Sequence, residues 1–146
     1  MGVDKIDFLY YCLDMTLEMH NGPKFDIDLE RGKVGEDSHK DFLVGKHEVK
    51  TDYRTIETGN VYIEYNQLNG NGYKPSGIEV TEADFWVQAS PKGTGGIYIK
   101  TEVLRELIAE NNFPVKPQPI RDANTNASVG HLIPLTSLLQ KLGFVL

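Results

Sequence analysis

The segment HEVKTD, residues 47–52, has β-strand character and carries two opposite charges, and its pairing partner determines the fold around it. Glu48 and Lys50 are two residues apart, so their side chains lie on one face of an extended strand. Another acid, Asp41, precedes Glu48 by seven residues. Two interpretations follow from this pattern. One is a charged edge strand with an ion pair, and the other is a site that binds a metal ion and hydrolyses a phosphate ester.

A three-strand antiparallel meander is the predicted surrounding of this segment. Residues 40–44 and 47–52 form two strand-like runs joined by Gly45 and Lys46, and TGNVYIEYNQL (58–68) adds a third strand with clean alternation. Connections this short favour hairpins.

The predicted hairpin brings the charged residues together. With a two-residue turn at 45–46, Asp41 faces Lys50, and Glu48 lies on the same face, while His47 lies on the opposite, core face. Opposed side chains in such a pair are about 5 Å apart. Asp41 and Glu48 can then coordinate one ion beside Lys50. A slip of one residue would remove this arrangement.

The remaining elements predict an α/β domain in which helices flank a central mixed sheet. Apolar spacing, turn residues and capping patterns predict helices over residues 6–17, 31–39, 81–88 (capped by Thr81), 101–112 and from Thr136 onward, strands over 97–100 and 131–134, and exposed connections over 69–77 and 111–130.

Composition limits the classes of protein. The chain has 146 residues, 40% hydrophobic, which suits one domain over residues 1–146. Its net charge of -6 gives no dominant basic surface, so a nucleic-acid partner would need a local patch or a bound cation. The single cysteine, Cys12, excludes an internal disulfide. The N-terminal segment lacks the pattern of a signal peptide or membrane span, so we expect a cytoplasmic protein with no membrane partner.

Two carboxylates and a lysine are a minimal set of groups for phosphodiester hydrolysis. Carboxylates hold Mg²⁺, or Mn²⁺ in its place, and the ion lowers the pKa of a bound water and neutralises charge on the phosphoryl group. A nearby ammonium adds charge stabilisation. The simpler alternative is an exposed ion pair, worth about 0 to 1 kcal/mol.

The spacing from Asp41 to Glu48-Val49-Lys50 resembles the active-site signature of the PD-(D/E)xK nuclease superfamily, whose restriction-endonuclease-like core it would imply. The order of EVKTD, TGN-hydrophobic-IE, SGI and T-x-AD-aromatic-W is similar to that in small phage-encoded nucleases of this class. The resemblance covers residues 36–86, about a third of the chain, and Lys40 replaces the usual proline.

The resemblance implies a role for each of several residues. Asp41 and Glu48 would be the metal ligands, with the backbone carbonyl of Val49, and Lys50 would align the attacking water. Glu36 would be the helix acid. Two alternatives stay open: Glu30 in place of Glu36, and Asp37 in place of Asp41.

The implied substrate is DNA, either branched or phage and host DNA in the host cytoplasm. Arg54, Asn60 and Lys74 are the candidate phosphate contacts. Glu64 shares a strand face with Asn60 and is a further metal candidate. Cutting two strands needs two sites, which favours a homodimer. The alternative function is a noncatalytic interaction protein on a nuclease-like fold.

Overall fold

A computed structural model describes the backbone of residues 23–118 and 127–146, with side chains from Leu29 onward. The chain divides into two units, residues 1–44 and 45–146, and each is described by itself. The predicted helix over residues 6–17 lies outside the described residues. Within the described ranges, no helix is both long enough and apolar enough to cross a membrane.

The described part of the first unit is one helix, α1 (Pro23–Val44). Proline is favoured in the first turn of a helix, where its missing N–H has no partner to lose. The helix predicted over residues 31–39 is confirmed within this longer one. The strand predicted over residues 40–44 is wrong, because these residues continue the helical spacing: Lys40 pairs with Asp37 at 3.4 Å and His39 stacks on Phe42. A short apolar run such as DFLV does not by itself distinguish strand from helix.

The second unit contains seven strands and three short helices among its described residues. In chain order they are β1 (His47–Thr51), α2 (Thr55–Thr58), β2 (Asn60–Leu68), β3 (Tyr73–Pro75), a 3₁₀ turn (Gly77–Glu79), β4 (Phe85–Ala89), β5 (Gly96–Lys100), α3 (Thr101–Glu110), β6 (Val115–Gln118), β7 (Ser128–Pro134) and α4 (Leu135–Lys141).

These strands form a mixed sheet and an antiparallel sheet. The mixed sheet has the order β1-β4-β5, with β1 parallel to β4 and β4 antiparallel to β5. The antiparallel sheet has the order β3-β2-β7-β6. The α/β class and the mixed sheet are therefore confirmed. The three-strand antiparallel meander is wrong, because β1 and β2 lie in different sheets and β1 pairs with a strand more than thirty residues later.

The segment 81–88, predicted as a helix, ends in strand β4 instead. Its side chains alternate between Trp86 and Gln88 on one face and Phe85 and Val87 on the other, as a buried strand requires. The expected cap residues have other functions. Thr81 Oγ1 accepts a hydrogen bond from Ala83 N (3.3 Å), which closes a turn, and the Asp84 carboxylate accepts one from Lys46 N (2.8 Å) at the start of β1. A capping pattern marks polar turns as well as helices.

A hydrophobic core joins the two sheets to helices α3 and α4. Its buried members are Val61, Ile63, Ile78, Trp86, Ile99, Leu104, Leu107, Ile133 and Leu138. Three predicted elements are confirmed. They are the strand over 97–100 as β5, the helix over 101–112 as α3 and the strand over 131–134 as β7. Thr136 is wrong as a cap because α4 begins at Leu135, and the connection over 111–130 includes strand β6.

Candidate active site

The charged side chains of β1 point toward the core of the second unit. In the parallel pairing with β4, Glu48 lies beside Trp86 and Lys50 beside Gln88, and side chains in register share one face of a sheet. On β1, Glu48 and Lys50 are half-buried and the alternate residues are exposed, so the face beside Trp86 is the inner face of this strand. Val49, which points the other way, is 58% exposed. Strand β1 therefore places its charges inside and its valine outside, which is the reverse of an ordinary amphipathic strand.

Glu48 and Lys50 form an ion pair at the edge of the core. Lys50 Nζ lies 2.6 Å from Glu48 Oε1, and both side chains are about a third exposed. The same ammonium lies 5.7 Å from the ring centroid of Trp86, within the range of a cation–π contact. Lys50 is thus held between a carboxylate and an aromatic face.

A polar cavity of about 160 Å³ opens beside this ion pair. Its lining comes from the end of β1 and the loop after it, from β2, from β4 and from β6: Lys50, Thr51, Asp52, Tyr53, Arg54, Tyr62, Glu64, Trp86, Gln88 and Gln118. We call this cavity the cleft. It brings Lys50 and Glu64, from different sheets, to one concave surface.

The turn that follows β3 positions Glu64. Ser76 Oγ donates a hydrogen bond of 2.6 Å to Glu64 Oε1, and Ser76 N donates one to the carbonyl of Tyr65 (2.8 Å). Gly77 lies against the backbone of Glu64 with a φ of 52°, and a Cβ there would collide with the Glu64 carbonyl oxygen. Ile78 fixes the turn in the core at 2% exposure. The SGI segment therefore fixes the orientation of the Glu64 carboxylate.

Tyr62 is the aromatic neighbour of Glu64 in the cleft. Its hydroxyl lies 3.0 Å from Ser128 Oγ, and burial raises the pKa of the phenol above its ordinary value of 10.0. Its ring covers Gly130 on β7, where a Cβ would lie 2.5 Å from Tyr62 Cζ. Tyr62 is therefore a neutral hydrogen-bonding group at physiological pH.

The predicted phosphate contacts Arg54 and Asn60 lie together beside the cleft. A second cavity, of about 270 Å³, is lined by Asp52, Arg54, Thr58, Asn60, Tyr62, Lys116, Pro117, Gln118 and Leu132. Arg54 and Tyr62 line both cavities. Lys74 lies on β3 opposite Gln67 and lines neither of them.

The TGN segment is a helix end. Gly59 has a φ of 68° and terminates α2, and Asn60 Nδ2 donates to the Thr58 carbonyl (2.9 Å). Asp52 lies in the loop before the helix, and its carboxylate accepts hydrogen bonds from Arg54 N (2.8 Å) and Thr55 Oγ1 (2.9 Å). The Asp52 carboxylate thus orders the loop that carries Arg54.

Four predicted acids, Glu30, Glu36, Asp37 and Asp41, lie on helix α1, in the first unit. Asp41 is therefore not on a strand opposite Lys50, and the hairpin geometry predicted for it is wrong. Asp37 and Asp41 are one helical turn apart and share a face, whereas Glu36 and Asp41 do not. His47, expected on the core face, is exposed. The roles of Glu36, Asp41 and the Val49 carbonyl as metal ligands stay predictions.

Sequence reasoning missed several residues of the two cavities, among them Gln88, Lys116 and Gln118. Gln88 had a signal, because the alternation in FWVQA places it on the same strand face as Trp86 once the segment is taken as a strand. Lys116 and Gln118 had none. They lie in a proline-rich stretch that has no strand alternation. They reach the site only through the pairing of β6 with β7.

Over residues 23–118 and 127–146, no three His, Cys, Asp or Glu side chains are grouped so that they could hold a metal ion. The carboxylates of Asp52 and Glu64 line the cleft, and Glu48 is ion-paired to the lining residue Lys50. All three carboxylates already have a hydrogen-bond or ion-pair partner. Oxygen ligands of this kind suit Mg²⁺, which usually binds through one or two carboxylates, several waters and the phosphates of a substrate.

Comparisons of the chain with protein-family models, with curated proteins and with solved structures found no match.

Proposed function

We propose that this protein is a metal-dependent nuclease that hydrolyses phosphodiester bonds of DNA in the cleft. The observation that carries the proposal is the inward orientation of Glu48 and Lys50 on β1, beside a polar cavity that also holds Glu64. Lys50 and Glu64, from two sheets, line the cleft, and Glu48 is ion-paired to Lys50 at its edge. The resemblance to the PD-(D/E)xK superfamily leads one to expect such a pair of Glu48 and Lys50.

A structural role for the ion pair is the main competing explanation. Within the described residues β1 is an edge strand, and inward-pointing charges are one way in which proteins prevent edge strands from pairing. That explanation accounts for Glu48 and Lys50 alone. It does not account for a Glu64 carboxylate held in place by Ser76 and Gly77 at the same cavity. A catalytic site accounts for all of these features.

The reaction adds water across a phosphodiester bond. The oxygen of water bonds to phosphorus, one ester P–O bond breaks, and the products are a phosphomonoester and a free hydroxyl that takes one proton of the water. Lys50 stabilises the negative charge that develops on the phosphoryl oxygens. Glu48 and Glu64 would hold a divalent cation, which supplies an acidic water and further charge neutralisation when bound.

Cations on the rim of the two cavities support DNA as the substrate. The whole chain carries a net charge of -6, so binding of a polyanion needs a local concentration of positive charge. Lys50, Arg54 and Lys116 line the two cavities, and Arg54 lines both. A DNA strand bound across both cavities would meet all three cations.

Cleavage of a panel of labelled DNAs tests the proposal. The panel contains linear duplex, single strand, flap and four-way junction, each with Mg²⁺, with Mn²⁺ or with EDTA. We expect wild-type cleavage that requires the metal, and we expect Lys50→Ala to lower the rate by about 100-fold or more, because it removes a preorganised charge from the transition state. Lys92→Ala, in an exposed turn, is the matched control and should cleave like wild type.

Thermal unfolding with added metal gives a second measurement. A cation that binds the folded cleft raises the melting temperature, and the increase grows with the logarithm of its concentration above the Kd; Glu48→Gln should remove that increase. No cleavage of any DNA, with no metal-dependent change in melting temperature, would reject the enzyme and favour the noncatalytic interaction protein.

A further inference from the structure

The floor of the cleft contains buried polar atoms that have no hydrogen-bond partner among the described residues. Gln88 is 8% exposed and lines the cleft, and neither the oxygen nor the nitrogen of its side-chain amide has a hydrogen-bond partner in the part of the chain that the structure describes. The same holds for Nε1 of Trp86, which lies on the same face of β4. Native proteins keep few such atoms, because each one destabilises the fold. Three of them at one cavity point to a ligand that supplies their partners.

The chemistry of these atoms restricts the ligand. The indole N–H of Trp86 and the amide nitrogen of Gln88 donate hydrogen bonds, whereas the amide oxygen accepts one. The ligand must therefore present acceptor oxygens and at least one donor. Lys50, at the same cavity, adds a positive charge and so favours an anion. A phosphodiester group provides the acceptors and the charge, and a water molecule next to it provides the donor.

A nucleobase fits this site less well than a phosphate. The ammonium of Lys50 lies over the Trp86 ring, 5.7 Å from its centroid, so that face of the ring is already covered and cannot stack on a base. The cleft volume of about 160 Å³ is enough for a phosphate group together with several water molecules. A hydrated phosphate group is of this size.

We propose that Gln88 and Trp86 form the subsite for the scissile phosphate and its attacking water. The Gln88 amide nitrogen and the Trp86 indole N–H donate to phosphoryl oxygens, and the Gln88 amide oxygen accepts a hydrogen bond from the water. The amide takes up no proton in the reaction, since it does not titrate, and its contribution is to orient the water toward phosphorus. This inference rests on the proposed nuclease function and assigns that function a further substrate-binding residue.

Steady-state cleavage by Gln88→Met is the first test. Methionine has a similar volume and no amide, so the variant should keep its fold and lose the orienting contacts. We expect kcat/KM to fall about 100-fold, similar to the loss of one preorganised donor in other hydrolases. Gln140→Met, at an exposed position on α4, is the matched control and should retain wild-type kinetics.

The indole N–H resonance of Trp86 gives a readout that needs no catalysis. Trp86 is the single tryptophan of the chain, so its indole N–H gives one assignable NMR signal. We expect this signal to shift when a short oligothymidylate is added in EDTA, and inorganic phosphate to produce a smaller shift at the same site. In Gln88→Met the oligonucleotide-induced shift should shrink several-fold, whereas Gln140→Met should leave it unchanged.

The two readouts separate failure of the subsite from failure of the nuclease. Wild-type cleavage with unchanged activity in Gln88→Met would overturn the subsite and leave the nuclease standing. An indole shift that depends on Gln88, without cleavage of any DNA, would overturn the nuclease and support a phosphate-binding subsite. If neither the oligonucleotide nor phosphate shifts the indole signal, the subsite is overturned whatever the cleavage assay gives.

Discussion

At the scale of single residues, Gln88 both lowers the stability of the fold and lines the cleft. This combination indicates a functional residue. Its amide is buried and unpartnered among the described residues, and such groups destabilise a fold by about 1 to 3 kcal/mol each. Residues that lower stability are retained where activity needs them.

The stability of Gln88→Met follows from that argument. Removal of the amide at nearly constant volume should raise the free energy of unfolding by about 1 kcal/mol, because no hydrogen bond within the described chain is lost. Urea unfolding measures it, with Gln140→Met as a surface control expected to change by less than about 0.5 kcal/mol. A clear loss of stability in Gln88→Met would mean that the folded chain itself provides partners for the amide.

At the scale of elements, the 3₁₀ turn at 77–79 and strand β2 act as one unit. Ser76 binds the Glu64 side chain, Gly77 packs on the Glu64 backbone, and Ile78 anchors the turn in the core. The geometry of the cleft therefore depends on a turn that contributes no lining residue to it.

Gly77→Ala tests this dependence. Its φ of 52° is strained for any residue with a Cβ, and the new methyl group would also collide with the Glu64 carbonyl oxygen. We expect a loss of at least about 2 kcal/mol in urea unfolding, together with weaker cleavage. Gly93→Ala separates the two effects, since Gly93 has a φ of 69° with nothing within 4 Å of a new Cβ, and it should lose only about 1 kcal/mol. Equal losses in the two variants would show that close packing on Glu64 contributes nothing.

At the scale of the whole molecule, His131 makes the stability of the fold depend on pH. Burial lowers the pKa of His131 below its ordinary value of 6.5, and the opposing effect of Glu79 is smaller. The unfolded chain therefore binds a proton at a higher pH than the folded chain does. Consequently His131, when neutral, makes its full contribution to the free energy of unfolding above about pH 6.5. This contribution is lost as the pH falls through the pKa of His131 in the folded chain.

His131→Phe should remove this part of the pH dependence. The phenyl ring keeps the contact with Tyr65, whose ring centroid lies 4.7 Å from that of the imidazole, and it does not titrate. Urea unfolding from about pH 7.5 to about pH 5.5 should show a smaller fall in the free energy of unfolding for the variant than for wild type. Parallel curves would indicate that His131 is protonated equally in the folded and unfolded chains.

The sequence alone determined the strands and helices whose periodicity is local. Alternation in residues 47–51 and 60–68 and helical spacing in 101–110 indicate their structures, because neighbouring residues along the chain determine each pattern. The same local signals failed at 40–44 and 81–88, where a short run is compatible with either helix or strand and long-range contacts select one. The acid-x-lysine pattern placed Glu48 and Lys50 on one strand face.

Only the tertiary structure decided which way that face points. Glu48 lies beside Trp86 because β1 pairs in parallel with a strand far away in sequence, and Glu64 reaches the same cleft from another sheet. The place of Gln88 in the cleft, where its amide has no partner within residues 23–118 and 127–146, becomes apparent only once that pairing is known. Pairing between distant strands depends on the free energy of the whole core, which is shared among many residues, and so no short stretch of sequence encodes it.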